Sequence, residues 1–257
     1  MKVLQLSEQC AFVTGAGDSV GLAVARRFLA EGGKAHIMDV NADAVAAALE
    51  ATPELTGTVG NAGDTNDIDR AFNDAETAMG RVDTLINGVG VAGPMSKIDE
   101  TSIDDWRRAI DINLNGHFYA IHRAVPGMRQ RGAGVIVGVS STSAAQSVVN
   151  RASYVSSKAG LEALVSVAAQ EYGQHGIRCN VVRPGGINND RVRLILEDEA
   201  RQAGISFEEH LANELEGTAM RTLVEIDDVV DAIIFLCSPA ARYVTGQITT
   251  VSAGLSI

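Results

Sequence analysis

The feature that most restricts the fold of this chain is an end-to-end alternation of short apolar runs with stretches of helical periodicity. Residues 9–14, 34–38, 55–59, 82–86, 134–139, 177–182 and 247–251 read as strands. Between them, residues 21–32, 42–50, 68–79, 103–128, 153–172 and 226–236 carry helical spacing. Strands separated by helices need crossover connections. They predict a parallel sheet with right-handed crossovers and helices on both faces. Seven such strands in 257 residues make a single α/β domain of Rossmann type, spanning 1–257 as a doubly wound seven-stranded parallel sheet. No internal repeat or linker interrupts it.

One stretch breaks the rhythm. Roughly forty residues separate Pro184 from Glu225 before the next element. They carry one helical pattern on Val192, Ile195, Leu196 and Glu199 and another around Phe207, Leu211 and Leu215. An insertion of this length often closes over a site, so a lid is expected at about 186–222. A surface hairpin with no part in the chemistry is the alternative.

Several function classes are set aside. The net charge of −11 provides no electrostatic footprint for nucleic acid. No apolar stretch approaches the ~20 residues of a membrane span. Residues 1–8 lack the apolar core and cleavage site of a signal peptide. Cys10, Cys179 and Cys237 lie far apart without metal-ligand spacing, so no metal site is expected. Two of them sit in apolar runs, where buried free thiols fit best, and a reducing, cytoplasmic setting follows.

The first strand runs into Thr14-Gly15-Ala16-Gly17-Asp18-Ser19-Val20-Gly21, and a helix begins there. Glycines at such a turn let backbone N–H groups approach a pyrophosphate at the helix N-terminus. Gly15, Asp18, Ser19, Val20 and Gly21 are therefore candidate cofactor contacts. Asp39 follows the second strand at a distance suited to a carboxylate that binds ribose hydroxyls. It would repel a 2′-phosphate, as would Asp18, and neither has a neighbouring cation in sequence (Val40 and Ser19 follow them). NAD is expected over NADP. A helix N-cap is the alternative role for Asp39.

Tyr154 and Lys158 stand four residues apart, with Ser141 thirteen residues before the tyrosine. On a helix, positions i and i+4 share a face. An ammonium held near a phenol favours the phenolate, and a phenol so placed exchanges a proton with an alcohol or carbonyl oxygen. The Ser141 hydroxyl could hold that same oxygen. Taken alone, a tyrosine and a lysine at this spacing also suit a solvated helix face.

Together these pieces resemble the short-chain dehydrogenase/reductase family along the whole chain and in the expected order. Residues 14–21 look like its TGxxxGxG turn. Asp64, followed by Thr65, resembles the aspartate that meets the adenine amine. Asn87-Gly88-Val89-Gly90 resembles a degraded NNAG, and Asn113 the asparagine of a catalytic tetrad. Ser141, Tyr154 and Lys158 match the serine and YxxxK, Asn180 to Gly185 resembles NxxxPG, and residues 243–247 match the closing segment. The resemblance implies a mechanism. Tyr154 is the general acid–base, Lys158 supports it and binds the nicotinamide ribose, and Ser141 polarises the substrate oxygen. The Asn113 carbonyl holds a relay water, and hydride moves between substrate carbon and NAD. It also implies cofactor contacts from Asn87, Ile187 and Asn189.

Departures occur at Ser19, where a glycine is usual, and at Gly88-Val89 in place of Asn-Ala. Asn189 replaces a common threonine, and Ser252-Ala253 a common Asp-Gly. The expected pocket is mostly apolar, which suits a small or medium secondary alcohol. Arg151, Arg191 or Arg193 could meet a carboxylate or phosphate on the substrate, and solvated surface arginines are the alternative. Family members are commonly tetramers or dimers built through two long helices, here 103–128 and 153–172, and a homotetramer is expected. An NADPH-type 3-oxoacyl thioester reductase and a non-catalytic dinucleotide sensor are the competing readings.

Overall fold

The computed structural model describes residues 6–255, and of Arg191 it describes the backbone. The reading of the first residues as something other than a signal peptide, and any role for the Arg191 side chain, lie outside the described residues. The architecture is a seven-stranded sheet in the order β3-β2-β1-β4-β5-β6-β7, every neighbouring pair parallel. The strands are β1 (Cys10–Thr14), β2 (Lys34–Asp39), β3 (Thr56–Val59), β4 (Thr84–Asn87), β5 (Gly134–Val139), β6 (Ile177–Pro184) and β7 (Ile248–Val251).

β1 is wholly buried. Its side chains alternate between two helical layers, as a strand's must. Phe12 joins Met38, Phe72, Leu85 and Ile136 on one face. Ala11 and Val13 join Val24, Phe28, Ile37 and Ile233 on the other. The first face is covered by α3 (Thr65–Met79), α5 (Gly116–Arg131) and α6 (Ala152–Tyr172), the second by α1 (Ser19–Ala30) and α9 (Ile226–Cys237). α2 (Ala42–Ala51) lies between β2 and β3, and α4 (Ile103–Ile110) leads towards α5. α7 (Asp190–Ala203) and α8 (Phe207–Glu216) occupy the insertion before α9.

From β1 the chain steps outward through β2 and β3, then returns to pair β4 on the opposite side of β1. Connections leaving the carboxyl ends of β1 and β4 thus run in opposite directions. A crevice opens where they part.

Residues 103–128 do not form one uninterrupted α-helix. A π-helical segment, Asp111–Asn115, separates α4 from α5. The wider turn adds a residue to the helical path, which periodicity averaged over a long segment does not register. It coincides with the burial of Asn113.

Candidate active site

A cleft of about 960 Å³ lies over the carboxyl edge of the sheet, lined by the segments that follow β1 and β4 and by residues of α6 and α7. Gly15 at the end of β1 adopts φ +65°, and a Cβ there would sit 2.5 Å from Val89 Cα. At Gly21 a Cβ would meet the Gly15 carbonyl at 2.4 Å. The backbone of this turn is therefore packed too closely for side chains, which brings the first N–H groups of α1 to the cleft. Ser19, in the family's glycine position, takes φ +48° and keeps the turn's shape at some strain. Its Oγ accepts a 3.4 Å contact from Asn189 Nδ2 across the cleft.

Asp39 ends β2 and faces this turn. Its Oδ2 accepts from Gly17 N–H at 2.9 Å, and its Oδ1 from Asn41 N–H at 2.9 Å. Asn41, not Asp39, caps α2, accepting from Ala44 N–H. The carboxylate therefore stays at the cleft wall, with Asp18 also in the lining. The glycine cradle, the helix terminus and the carboxylate beside it fit an adenine dinucleotide.

Three expected cofactor contacts lie elsewhere. Asp64 caps α3, its side chain accepting from Asn66 N–H at 2.8 Å and Asp67 N–H at 3.4 Å. Thr65, the first residue of that helix, is exposed. Neither lines the cleft, whose wall after β3 is formed by Asn61, Ala62 and Gly63. Sequence reasoning passed over Asn61 and Ala62, although they follow a strand's carboxyl end as cleft residues do. Asn87 is completely buried. Its Oδ1 accepts from Thr14 Oγ1 at 3.3 Å and its Nδ2 donates to the His117 carbonyl at 3.3 Å, so it ties β1, β4 and α5 together beneath the cleft. Gly88 to Val91, which follow it, line the cleft instead.

Ser141, Tyr154 and Lys158 all face the cleft. Ser141 follows β5, and its Oγ accepts from Ser143 N–H at 3.2 Å at the start of a 3₁₀ turn, Thr142–Ala145. Tyr154 and Lys158 project from the first turns of α6, and Lys158 Nζ donates to the Val139 carbonyl at 2.9 Å. A Cβ on Gly90 would come within 3.1 Å of that Nζ, so the ammonium lies against the loop after β4. The Arg151 guanidinium sits 5.0 Å from the centre of the Tyr154 ring.

Asn113 does not face the cleft. Its side chain binds the loop after β4 and also donates to Ser157 Oγ at 3.1 Å, which in turn donates to the Tyr154 carbonyl at 2.8 Å. Ser157 thus joins the π segment to the tyrosine's own turn. Nothing in the sequence motif marked it apart from its place beside Lys158. Deeper still, His117 Nε2 lies 3.2 Å from the Asn87 carbonyl. Burial, with help from the Lys158 charge, pushes the imidazole down to about 3, so it is neutral near neutral pH. Behind α6, Glu162 holds Arg183 through bonds of 2.8 and 2.5 Å and accepts from Ser140 Oγ at 2.7 Å. This ion pair fixes the helix against β6.

α7 supplies a further wall of the cleft. Asn189 caps it, accepting from Val192 N–H at 2.8 Å. Ile187, Asn189, Val192, Ile195 and Glu199 line the cleft, joined by Glu214 of α8.

The fold and cleft define a Rossmann-type protein of the nicotinamide-dinucleotide class. Residues 15–256 match the family model described as enoyl-(acyl carrier protein) reductase. 7alpha-Hydroxysteroid dehydrogenase of Escherichia coli (strain K12) is 33% identical over 98% of this chain and 95% of its own length. Cyclohexanol dehydrogenase of Acinetobacter sp. (strain SE19) is 31% identical over 95% and 93%. The structure of 7 alpha-hydroxysteroid dehydrogenase complexed with NADH and 7-oxo glycochenodeoxycholic acid superimposes with a TM-score of 0.89 at 32% identity, covering 98% and 96% of the two chains. The chain belongs to the short-chain dehydrogenase/reductase family of oxidoreductases.

Proposed function

We propose that this chain is an NAD-dependent oxidoreductase that interconverts a secondary alcohol and a ketone. The observation that carries the reading is the meeting of Ser141, Tyr154 and Lys158 in one cleft with the glycine turn and Asp39. The names of relatives at 31–33% identity support alcohols and ketones as the substrate class. In oxidation, Ser141 Oγ and the Tyr154 oxygen bind the substrate hydroxyl. Tyr154, as phenolate, takes the hydroxyl proton as the carbon–oxygen double bond forms. NAD supplies the hydride acceptor when bound. The Lys158 ammonium stabilises the phenolate, binds the nicotinamide ribose, and passes the proton on by way of a water at the Asn113 carbonyl. Reduction runs the same steps backward.

Gly15, Asp18, Ser19, Val20 and Gly21 hold the pyrophosphate end, Asp39 the adenosine ribose, and Asn61 and Ala62 the adenine side. Ile187 and Asn189 approach the nicotinamide, and residues 186–222 act as a lid. Asp39 supports NAD over NADP, because a 2′-phosphate there would face a carboxylate. A panel of secondary alcohols with NAD or NADP, read as absorbance of the reduced nicotinamide, tests the assignment. Turnover with NADP at least as efficient as with NAD would favour the 3-oxoacyl thioester reductase reading. No turnover with bound dinucleotide would favour a sensor.

Exposed Phe118 on α5 and Val167 on α6 flank an apolar groove between those helices, which supports assembly as a homotetramer through this face. Light scattering at monomer mass would overturn it. No helix among the described residues is long and apolar enough to cross a membrane. The three buried free thiols support a cytoplasmic setting.

A further inference from the structure

We infer that Arg151 binds a carboxylate on the substrate, so that the natural substrate is a hydroxy or oxo acid. The inference rests on the cleft being the substrate pocket. Arg151 immediately precedes α6 and is 9% exposed. Its guanidinium stacks on the Tyr154 ring at 5.0 Å and lines the cleft. Among the described residues it makes no ion pair and no side-chain hydrogen bond.

Two half-buried guanidiniums of this chain are satisfied by the protein itself. Arg183 grips Glu162 through two bonds. Arg178 donates to four carbonyls, those of Leu236, Cys237, Ser238 and Val244. A guanidinium that reaches the cleft with no acceptor of its own is available to a ligand. The planar fork suits a carboxylate held through two parallel bonds. Of the other arginines that open or follow this region, Arg193 is 65% exposed in its side chain and paired with Glu197 at 3.0 Å, so it belongs to the surface.

The charge of the cleft selects among anions. Asp104, Asp111, Glu199 and Glu214 line it together with Arg107 and Arg108, and none of these carboxylates pairs with Arg151. A monoanion meets less repulsion there than a phosphate dianion. Val148, Val192 and Ile195 supply apolar wall to the same cleft, so a short aliphatic chain between the carboxylate and the reacting carbon fits.

The test titrates the full chain, with and without NADH, by isothermal titration calorimetry. The probes are oxo acids of four to ten carbons, the methyl ester of each, and dihydroxyacetone phosphate. At one or more chain lengths the acid is expected to bind roughly ten- to a hundredfold more tightly than its ester. Arg151→Gln should bring that ratio close to one, and Arg151→Lys should keep part of it. Esters binding as tightly as acids at every length, or a ratio unchanged in Arg151→Gln, would overturn the inference. Tighter binding of the phosphate than of every carboxylate would overturn the carboxylate assignment. A chain that gives no heat with NADH counts against the proposed function, and the ratio measured without NADH still decides this inference.

Discussion

Asn113 and Val91 hold each other through a reciprocal pair of bonds: Asn113 Oδ1 accepts from Val91 N–H at 2.7 Å, and Asn113 Nδ2 donates to the Val91 carbonyl at 2.9 Å. The asparagine side chain thereby closes a backbone loop as a neighbouring strand would. With Ser157 on its remaining N–H, it is fully engaged. Asn113 therefore works by position, fixing the loop after β4 to the π segment and to α6.

Replacing Asn113 with Ala should loosen the loop that lies against Lys158. A displacement of about 1 Å at reacting groups costs roughly a hundredfold, so kcat should fall by about that factor. Stability should fall by ~1–3 kcal/mol, because two backbone groups lose their partner. Steady-state kinetics beside a urea titration checks both, and a variant with unchanged kcat would remove Asn113 from the site's architecture.

In the proposed function Asp39 sets the preference for NAD over NADP. Asp39→Asn keeps an acceptor for Gly17 N–H and removes the charge, so kcat/KM with NADP should rise relative to that with NAD by about tenfold. Kinetics with both dinucleotides measures the ratio. An unaltered ratio would mean that another group rejects the 2′-phosphate.

Backbone strain gives two opposite outcomes. Ala253 adopts φ +52°, a left-handed conformation that costs a side chain ~1–2 kcal/mol. Ala253→Gly relieves it and gives back part through chain entropy, so a net gain of ~0.5–1 kcal/mol is expected in urea melts. Gly21→Ala should instead drive a methyl into the Gly15 carbonyl, lowering both stability and NADH affinity.

Acid sensitivity follows from two buried histidines. Burial pushes His36 from 6.5 to about 4 and His117 from 6.5 to about 3, the Lys158 charge adding to the second. The unfolded chain takes up protons near pH 6.5 that the folded chain refuses. Stability is therefore complete above pH 6.5 and declines as pH falls, until about 4 for His36 and about 3 for His117. The slope approaches ~1.4 kcal/mol per pH unit for each histidine. Urea denaturation at pH 5 and pH 7 measures it. His117→Gln should flatten the decline, and an equal slope in that variant would place the acid sensitivity elsewhere.

The alternation of apolar runs and helical spacing was enough to read all seven strands, because a parallel sheet buried on both faces needs such runs. The glycine turn, Asp39, Ser141, Tyr154 and Lys158 were legible because each is tied to a strand end or to one helical turn. Less local relationships were hidden. Asp64 carries an adenine-contact motif in sequence, yet its Oδ1 accepts from the first N–H groups of α3 and the residue lies outside the cleft lining. The π segment is one turn long and leaves no periodic trace. Ser157 and the Glu162–Arg183 pair depend on contacts between residues brought together by the sheet. That Arg151 turns onto Tyr154, and Arg193 onto the surface, follows from side-chain paths that spacing does not encode.

Tyr154 is the proton-transferring group of the proposed reaction. Tyr154→Phe keeps the ring beneath Arg151 and deletes only the hydroxyl. Rapid-mixing measurement of NADH formation from a substrate alcohol, paired with NADH titration of the same variant, tests this directly. Hydride transfer should slow by roughly a hundred- to ten-thousandfold while the NADH dissociation constant changes by less than about threefold. Hydride transfer at close to the original rate in Tyr154→Phe would contradict the account.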